Sequence, residues 1–227
     1  MRVMRIVLRI GGSVVASPLN PALIGEYSDL LKGLKSLGHE VAVVVGGGTL
    51  AREFIKAGKA LGLDETAQDD VAISVSRIYA QLFLKKLANA GCRLVPITVE
   101  EAAKFLREGK IVVMGGLRPG MTTDTVAALV AEQIDADLLV KATDQDGVYD
   151  KDPKKYADAV KLDHLGFDEL SGVFVENKHK AGIHQIIDPE AVKILSRRKV
   201  RVIIVNGFKP KNILGAIKGQ LVGTVID

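Results

Sequence analysis

Glu40-Val41-Ala42-Val43-Val44-Val45-Gly46-Gly47-Gly48-Thr49-Leu50-Ala51-Arg52 is the stretch on which the fold turns. Five apolar residues in a row, four of them valine, do not alternate in polarity. They predict a strand buried on both faces, which is the habit of a parallel sheet. Three glycines then let the chain turn tightly into a helix beginning near Thr49. A helix N-terminus opening from a glycine loop presents free N-H groups and the positive end of a dipole, a setting suited to an anion. Arg52, one turn inside, adds a guanidinium.

Outward from this unit the same alternation recurs. Strands are predicted at Val3 to Ile10, Glu40 to Val45, Cys92 to Ile97, Ile111 to Met114, Asp137 to Ala142, Val200 to Val205 and Leu221 to Ile226. Between the first two, Leu23, Ile24, Tyr27, Leu30, Leu31, Leu34 and Leu37 recur at helical spacing, with Pro21 at the start and Gly38 at the end. A second, longer helix is predicted from about Glu65 to Asn89. Thr98 followed by Glu101 reads as a capping box for a third, stopped near Gly109. The fold class is therefore α/β with a mainly parallel sheet flanked by helices. No repeat, low-complexity tract or linker divides the chain, and Gly115 to Gly120 is the expected place of any soft boundary between lobes.

Glycines follow the predicted strands at Gly11-Gly12, Gly46 to Gly48, Gly115-Gly116 and Gly207. In a parallel sheet all of these lie along one edge, where ligands bind. Any one of them is explained by a tight turn; together they point to phosphate. The triplet loop also satisfies G-x-G-x-x-G/A through Gly46, Gly48 and Ala51, but the acidic residue ending a second strand is missing. That disfavours a dinucleotide dehydrogenase, and no G-x-x-x-x-G-K-[ST] supports a P-loop.

Composition excludes other classes. The 227 residues carry a formal charge of +4, with basic residues scattered among acidic ones, which argues against nucleic acid. Arg9, Arg52 and Arg118 instead sit near glycine loops, where a small phosphorylated ligand is the economical partner. The single cysteine, Cys92, reads as a buried hydrophobe, and His39, His164, His179 and His184 lack metal-ligand spacing. No resident protein metal site is expected. No apolar stretch approaches the roughly 20 residues of a membrane span, so a soluble, cytoplasmic protein is expected.

Three further stretches are candidates for ligand contact. Gly120-Met121-Thr122-Thr123-Asp124-Thr125 has more hydroxyls and carboxylates than an N-cap needs. Thr143 to Pro153 is turn-rich and holds Tyr149, so it could clamp a base or be a solvated hairpin. Asp188-Pro189-Glu190 reads first as a helix start.

Taken together, Ile10-Gly11-Gly12-Ser13-Val14, Val43 to Arg52, Thr122 to Ala128, Asp146 to Pro153, Ile187-Asp188-Pro189 and Gly223-Thr224 resemble the amino acid kinase superfamily, and within it the archaeal type of uridylate kinase. The resemblance covers nearly the whole chain. It implies a three-layer α/β/α sandwich forming a single domain, with residues 1-116 binding the acceptor and 117-227 binding ATP. It implies transfer of the γ-phosphoryl group of ATP to UMP in pyrimidine nucleotide biosynthesis, with Mg2+ carried on ATP, by a homohexamer. By resemblance Arg9, Asp124 and Asp188 are catalytic. ATP falls to Arg9, Ile10, Gly11, Gly12, Ser13, Gly47, Arg52, Thr143, Tyr149 and Asp152. UMP falls to Gly46 and Asp69, with Leu117, Arg118, Pro119, Gly120, Met121, Thr122 and Thr123 around it. Many relatives carry lysine where this chain has Arg9. The rival readings are a kinase of acetylglutamate, carbamate or isopentenyl phosphate, and a non-catalytic oligomer that binds nucleotide or oxyanion.

Overall fold

A computed structural model describes residues 2–170 and 186–227; His179 and His184 lie outside them. The expected parallel sheet is present. Strands β1 (Arg5–Ile10), β2 (Glu40–Val45), β3 (Val112–Met114) and β4 (Leu138–Thr143) precede the short β5 (Val148–Tyr149), β6 (Lys161–Leu162) and β7 (His164–Leu165). Strands β8 (Arg201–Asn206) and β9 (Gly223–Ile226) complete the set. Seven of them form one sheet in the order β3-β2-β1-β4-β8-β9-β7, parallel from β3 through β8, with β9 antiparallel to β8. β5 and β6 make a separate hairpin. Because β1 pairs with β2 on one side and β4 on the other, the chain leaves β1 toward one edge and later returns past it. That reversal opens a crevice at the carboxyl end of β1.

Helices α1 (Gly12–Val15), α2 (Pro21–Ser36), α3 (Gly48–Ala60) and α4 (Glu65–Leu87) lead into α5 (Val99–Arg107) and α6 (Thr123–Gln133), followed by α7 (Pro189–Arg198) and α8 (Lys211–Ile217). α2, α4 and α8 pack on one face of the sheet, α5 and α6 on the other, with α7 against α6. This is the three-layer arrangement expected. Local chemistry fixes the ends: Asn20 accepts from Leu23 N at 3.0 Å before Pro21, and Gly38 closes the exit of α2 with φ +89°. α4 stops at Leu87 and passes into a short 3-10 turn, two residues before the predicted end. At α5, Thr98 caps Glu101 N at 3.1 Å while the Glu101 carboxylate reaches back to Ile97 N at 2.9 Å.

One predicted strand is wrong. Cys92 to Ile97 belongs to no strand; beside it only Gly91 bridges to Ile111, and Leu94 and Ile97 are exposed. The reason lies in Pro96, which has no N-H for a ladder, and in the edge position beyond β3. The core is continuous: Val7, Leu8, Val43, Val44, Val113 and Val140 are fully buried in the sheet, and Ala127 and Ala128 bring α6 down onto it. Cys92 is buried, as its apolar reading expects.

Candidate active site

The loops after β1 and β2 touch backbone to backbone. A Cβ on Gly12 would stand 2.2 Å from Gly48 N, and Gly48, with φ +61°, has Ala16 O where a Cβ would go. Only glycine allows this approach, so the two loops form one rigid wall. Gly46 N donates to Ile10 O at 3.1 Å and Gly11 N to Ala142 O at 2.8 Å, which extends the sheet pairing into that wall. Thr49 N is held by Ser17 Oγ at 2.7 Å. α3 starts at Gly48, its N-cap Gly47 has no side chain to offer, and both glycines border a polar cleft, so that the helix dipole faces it.

The opposite wall is the N-terminus of α6, where Thr122 caps Asp124 N and Thr125 N at 3.2 and 3.1 Å. This orients Asp124 toward the sheet, where two cations meet it. Arg9 Nε lies 2.7 Å from Asp124 Oδ1, an ion pair too far out of line to count as a hydrogen bond, and Arg9 Nη2 donates to Thr123 Oγ1 at 2.9 Å. Lys141 Nζ donates to Asp124 Oδ2 at 2.5 Å and to the Ile186 carbonyl. Arg9 and Lys141 are register partners on neighbouring strands, so their side chains leave the same face. Burial opposes ionisation of Asp124, but the charges of Arg9 and Lys141 prevail and hold its carboxyl below the ordinary range. Burial pushes the Lys141 ammonium down, partly offset by Asp124.

Between the walls lies a polar cleft of about 280 Å³. Arg9, Arg52 and Lys141 border it, with Asp124 and Asp144 as its carboxylates. Arg52 is exposed and held loosely, its Nη2 3.3 Å from Thr49 Oγ1. A roomier hollow near Cys92 and Lys110 lies against the carboxyl end of α4 and contains none of the expected residues. The small polar cleft is the better candidate, because it gathers the groups that can hold phosphate.

Next to it, α4 secures the loop 115–122. Asp69 Oδ2 accepts from Gly120 N at 2.7 Å, Ser76 Oγ from Gly116 N at 2.8 Å, and Arg77 donates to the carbonyls of Gly116 and Leu117 at 3.1 and 2.9 Å. Arg118 and Gly120 stay exposed, while Met121 packs against the core. Asp188 accepts from Thr122 Oγ1 at 2.5 Å, from Thr125 Oγ1 at 2.9 Å and from Ala191 N at 2.9 Å. It therefore caps α7 and ties that helix to α6, a second role the sequence does not reveal.

The structure thus brings Arg9, Gly12, Ser13, Gly46, Gly47, Arg52, Thr123, Asp124 and Thr143 to one cleft. Gly11 lies in its wall, and the Ile10 side chain points into the core. Tyr149, in the β5–β6 hairpin, and Asp152, which binds Lys154 N at 3.0 Å, lie outside this cleft. Asp69 touches the loop rather than the cleft. Sequence reading missed Lys141, Ser76 and Arg77; a lone lysine inside the apolar run of β4 was the available signal for the first.

Comparison with known proteins places this arrangement. The uridylate kinase of Methanocaldococcus jannaschii is 45% identical, covering 99% of this chain and 100% of its own. That of Methanobrevibacter smithii is 41% identical, covering 98% of this chain and 99% of its own. The crystal structure of uridylate kinase from Archaeoglobus fulgidus superposes with a TM-score of 0.88 at 39% identity, over 99% of this chain and all of that one. The UMP kinase of Bacillus anthracis shares the fold, with a TM-score of 0.84 at 22% identity over 100% of this chain and 97% of that one. The amino acid kinase family model matches residues 4–206. With its sheet, its interlocked glycine loops and its full-length match, the chain belongs to the amino acid kinase family, among the uridylate kinases of the archaeal type.

Proposed function

We propose that this chain transfers the γ-phosphoryl group of ATP to the phosphate of UMP, releasing UDP and ADP. The observation that carries the reading is the cleft in which Arg9, Arg52 and Lys141 converge at the glycine walls of β1 and β2. The full-length uridylate kinase relatives supply the acceptor. In the reaction a UMP phosphate oxygen attacks Pγ in line, and the bond from Pγ to the bridging oxygen of ADP breaks. The protein forms no covalent bond; it aligns the two phosphates and offsets charge on the equatorial oxygens. Arg9 and Arg52 would meet the transferring group, and the loops at Gly12 to Ser13 and Gly46 to Gly48 the flanking phosphates. Asp124 and Asp188 would keep these cations and helix ends in place. Asp69, through Gly120 N, would shape the loop that surrounds uridine. Thr143, Tyr149 and Asp152 would line the adenine nucleotide, with residues 1-116 as acceptor lobe and 117-227 as ATP lobe.

Mg2+ belongs to this reading as a companion of ATP. Of the two cleft carboxylates, Asp124 is taken up by Arg9 and Lys141, whereas Asp144 is paired with the exposed Lys154 at 3.2 Å. Burial opposes the charge on Asp144, yet the Lys154 hydrogen bond outweighs it and keeps the carboxyl below its ordinary range. An ionised carboxylate with an exchangeable partner suits a metal borne on phosphates, and Asp144 would hold it. The metal would neutralise phosphate charge. The reading extends to a cytoplasmic homohexamer acting in pyrimidine nucleotide biosynthesis. Among the described residues no helix is long and apolar enough to cross a membrane. Leu50 and Phe54 on α3, and Ile78 and Leu82 on α4, are exposed pairs one turn apart that an oligomer would cover.

ADP release from Mg-ATP with a panel of acceptors tests the reaction. UMP should be strongly preferred over CMP, dTMP, acetylglutamate, carbamate and isopentenyl phosphate. Equal turnover of an amino acid acceptor would sink it, and nucleotide binding without turnover would favour the non-catalytic oligomer.

A further inference from the structure

Lys141 is the one charged side chain in β4, whose other residues are Leu138, Leu139, Val140, Ala142 and Thr143. It is 4% exposed, in the middle of the sheet, where an ammonium is costly to desolvate. It also stands directly beside Arg9 in the strand register, so two cations share a face, an unfavourable pairing unless an anion is shared. That anion is Asp124, which each cation reaches with a different oxygen. Asp124 is the carboxylate in contact with both cations, and the charge of Asp188 also reaches Lys141, at the wall of a cleft suited to phosphate.

The fold alone does not call for this arrangement. An unbranched apolar side chain of similar volume would fill the same space, and Asp124 would keep Arg9 as its counter-ion. What the ammonium alone supplies is a circuit. Its second partner, the Ile186 carbonyl, lies two residues before Asp188, and Asp188 grips Thr122 and Thr125 on either side of Asp124. β4, the start of α6 and the approach to α7 are thereby closed into one ring.

We propose that Lys141 is a positioning residue of the phosphoryl-transfer centre, its ammonium fixing Asp124 and the Ile186 carbonyl so that Arg9 is presented to the transferring phosphate. The proposal rests on the kinase reading of this cleft. Lys141 acts through Asp124 and Arg9, so its loss acts on turnover more than on the affinity for either substrate.

The test is Lys141→Met, assayed for kcat, for KM of ATP and UMP, and for melting temperature beside the wild type. The expected result is a fall in kcat of about a hundredfold or more, the usual toll of a small misplacement, with both KM values within about threefold. The melting temperature should fall, because one partner of a buried cluster is removed, while the variant stays folded at the assay temperature with Asp124 still paired to Arg9. Asp124→Asn and the double variant complete a cycle, in which the double variant should lose no more turnover than the worse single one. Turnover within threefold of wild type, multiplicative losses in the double variant, or a kcat that falls only with the folded fraction would each overturn the proposal. Should Lys141→Met not fold, Lys141→Gln takes its place. If neither folds, Lys141 serves the fold and the proposal is overturned. A wild-type protein that releases no ADP with UMP would overturn the kinase reading itself, and this proposal with it.

Discussion

At Asp124 two opposed forces set the ionisation of one carboxyl. Burial favours its neutral form, and the flanking Arg9 and Lys141 favour the charged one; the charges win. The consequence for stability has a definite sign. An unfolded aspartate titrates near its ordinary value of 3.8, and the folded group titrates lower. The contribution is therefore complete above that value and is lost as pH falls through the folded one. Asp124→Asn leaves two neighbouring cations without their shared anion, which should cost about 3 to 5 kcal/mol near neutral pH. Below about pH 4 wild type begins to lose what the variant never had, so the gap should narrow. Urea unfolding of both proteins across an acid series measures this, and a gap that stays constant down to pH 3 would contradict the assignment.

α6 and α7 begin side by side, and a single carboxylate serves both starts. Asparagine caps a helix about as well as aspartate, so a pure cap at Asp188 would make Asp188→Asn nearly silent. Here both oxygens are used, by two hydroxyls and one backbone N-H. Hydrogen bonds to a charged group contribute more than neutral ones, and the expected loss is about 1 to 3 kcal/mol. In a Thr125→Val background the penalty should shrink, since one of the donors is already gone. Thermal or urea unfolding of the four proteins checks both statements; a loss under about 0.5 kcal/mol in the wild-type background would return Asp188 to a simple cap. The same residue marks the limit of what the sequence discloses. Its cap was legible because Asp188-Pro189 is a local signal, whereas its grip on Thr122 and Thr125 spans 66 and 63 residues and has no local signature. β1, β2, α2 and α5 were legible for the same reason: the strands as apolar runs closed by glycines, α2 by its periodicity and α5 by its capping box. Cys92 to Ile97 failed because an apolar run says nothing about whether a partner strand is available, and Pro96 forecloses pairing. Lys141 escaped notice because a strand is read by its apolar majority.

On the scale of the molecule, one sheet joins the two halves of the sequence through the pairing of β1 with β4, and the cleft straddles that junction. Its residues run from Arg9 to Asp144 and meet only in the folded chain. The unfolded chain therefore has no site, and ligand binding should appear in full as added stability. A ligand at a hundred times its dissociation constant contributes about 2.7 kcal/mol, and a chain of this size gains roughly 2 to 4 °C per kcal/mol. UMP alone should then raise the melting temperature by about 5 to 10 °C, and a non-hydrolysable ATP analogue with Mg2+ by a similar amount. Because the acceptor and donor are proposed to occupy different parts of the cleft, the two gains should add when both are present, in a single unfolding transition, since the shared sheet couples both halves. Acetylglutamate at the same concentration should leave the transition where it is. Differential scanning fluorimetry decides the matter: UMP and the analogue competing for one gain would mean one shared site, and no shift with UMP would remove it as acceptor.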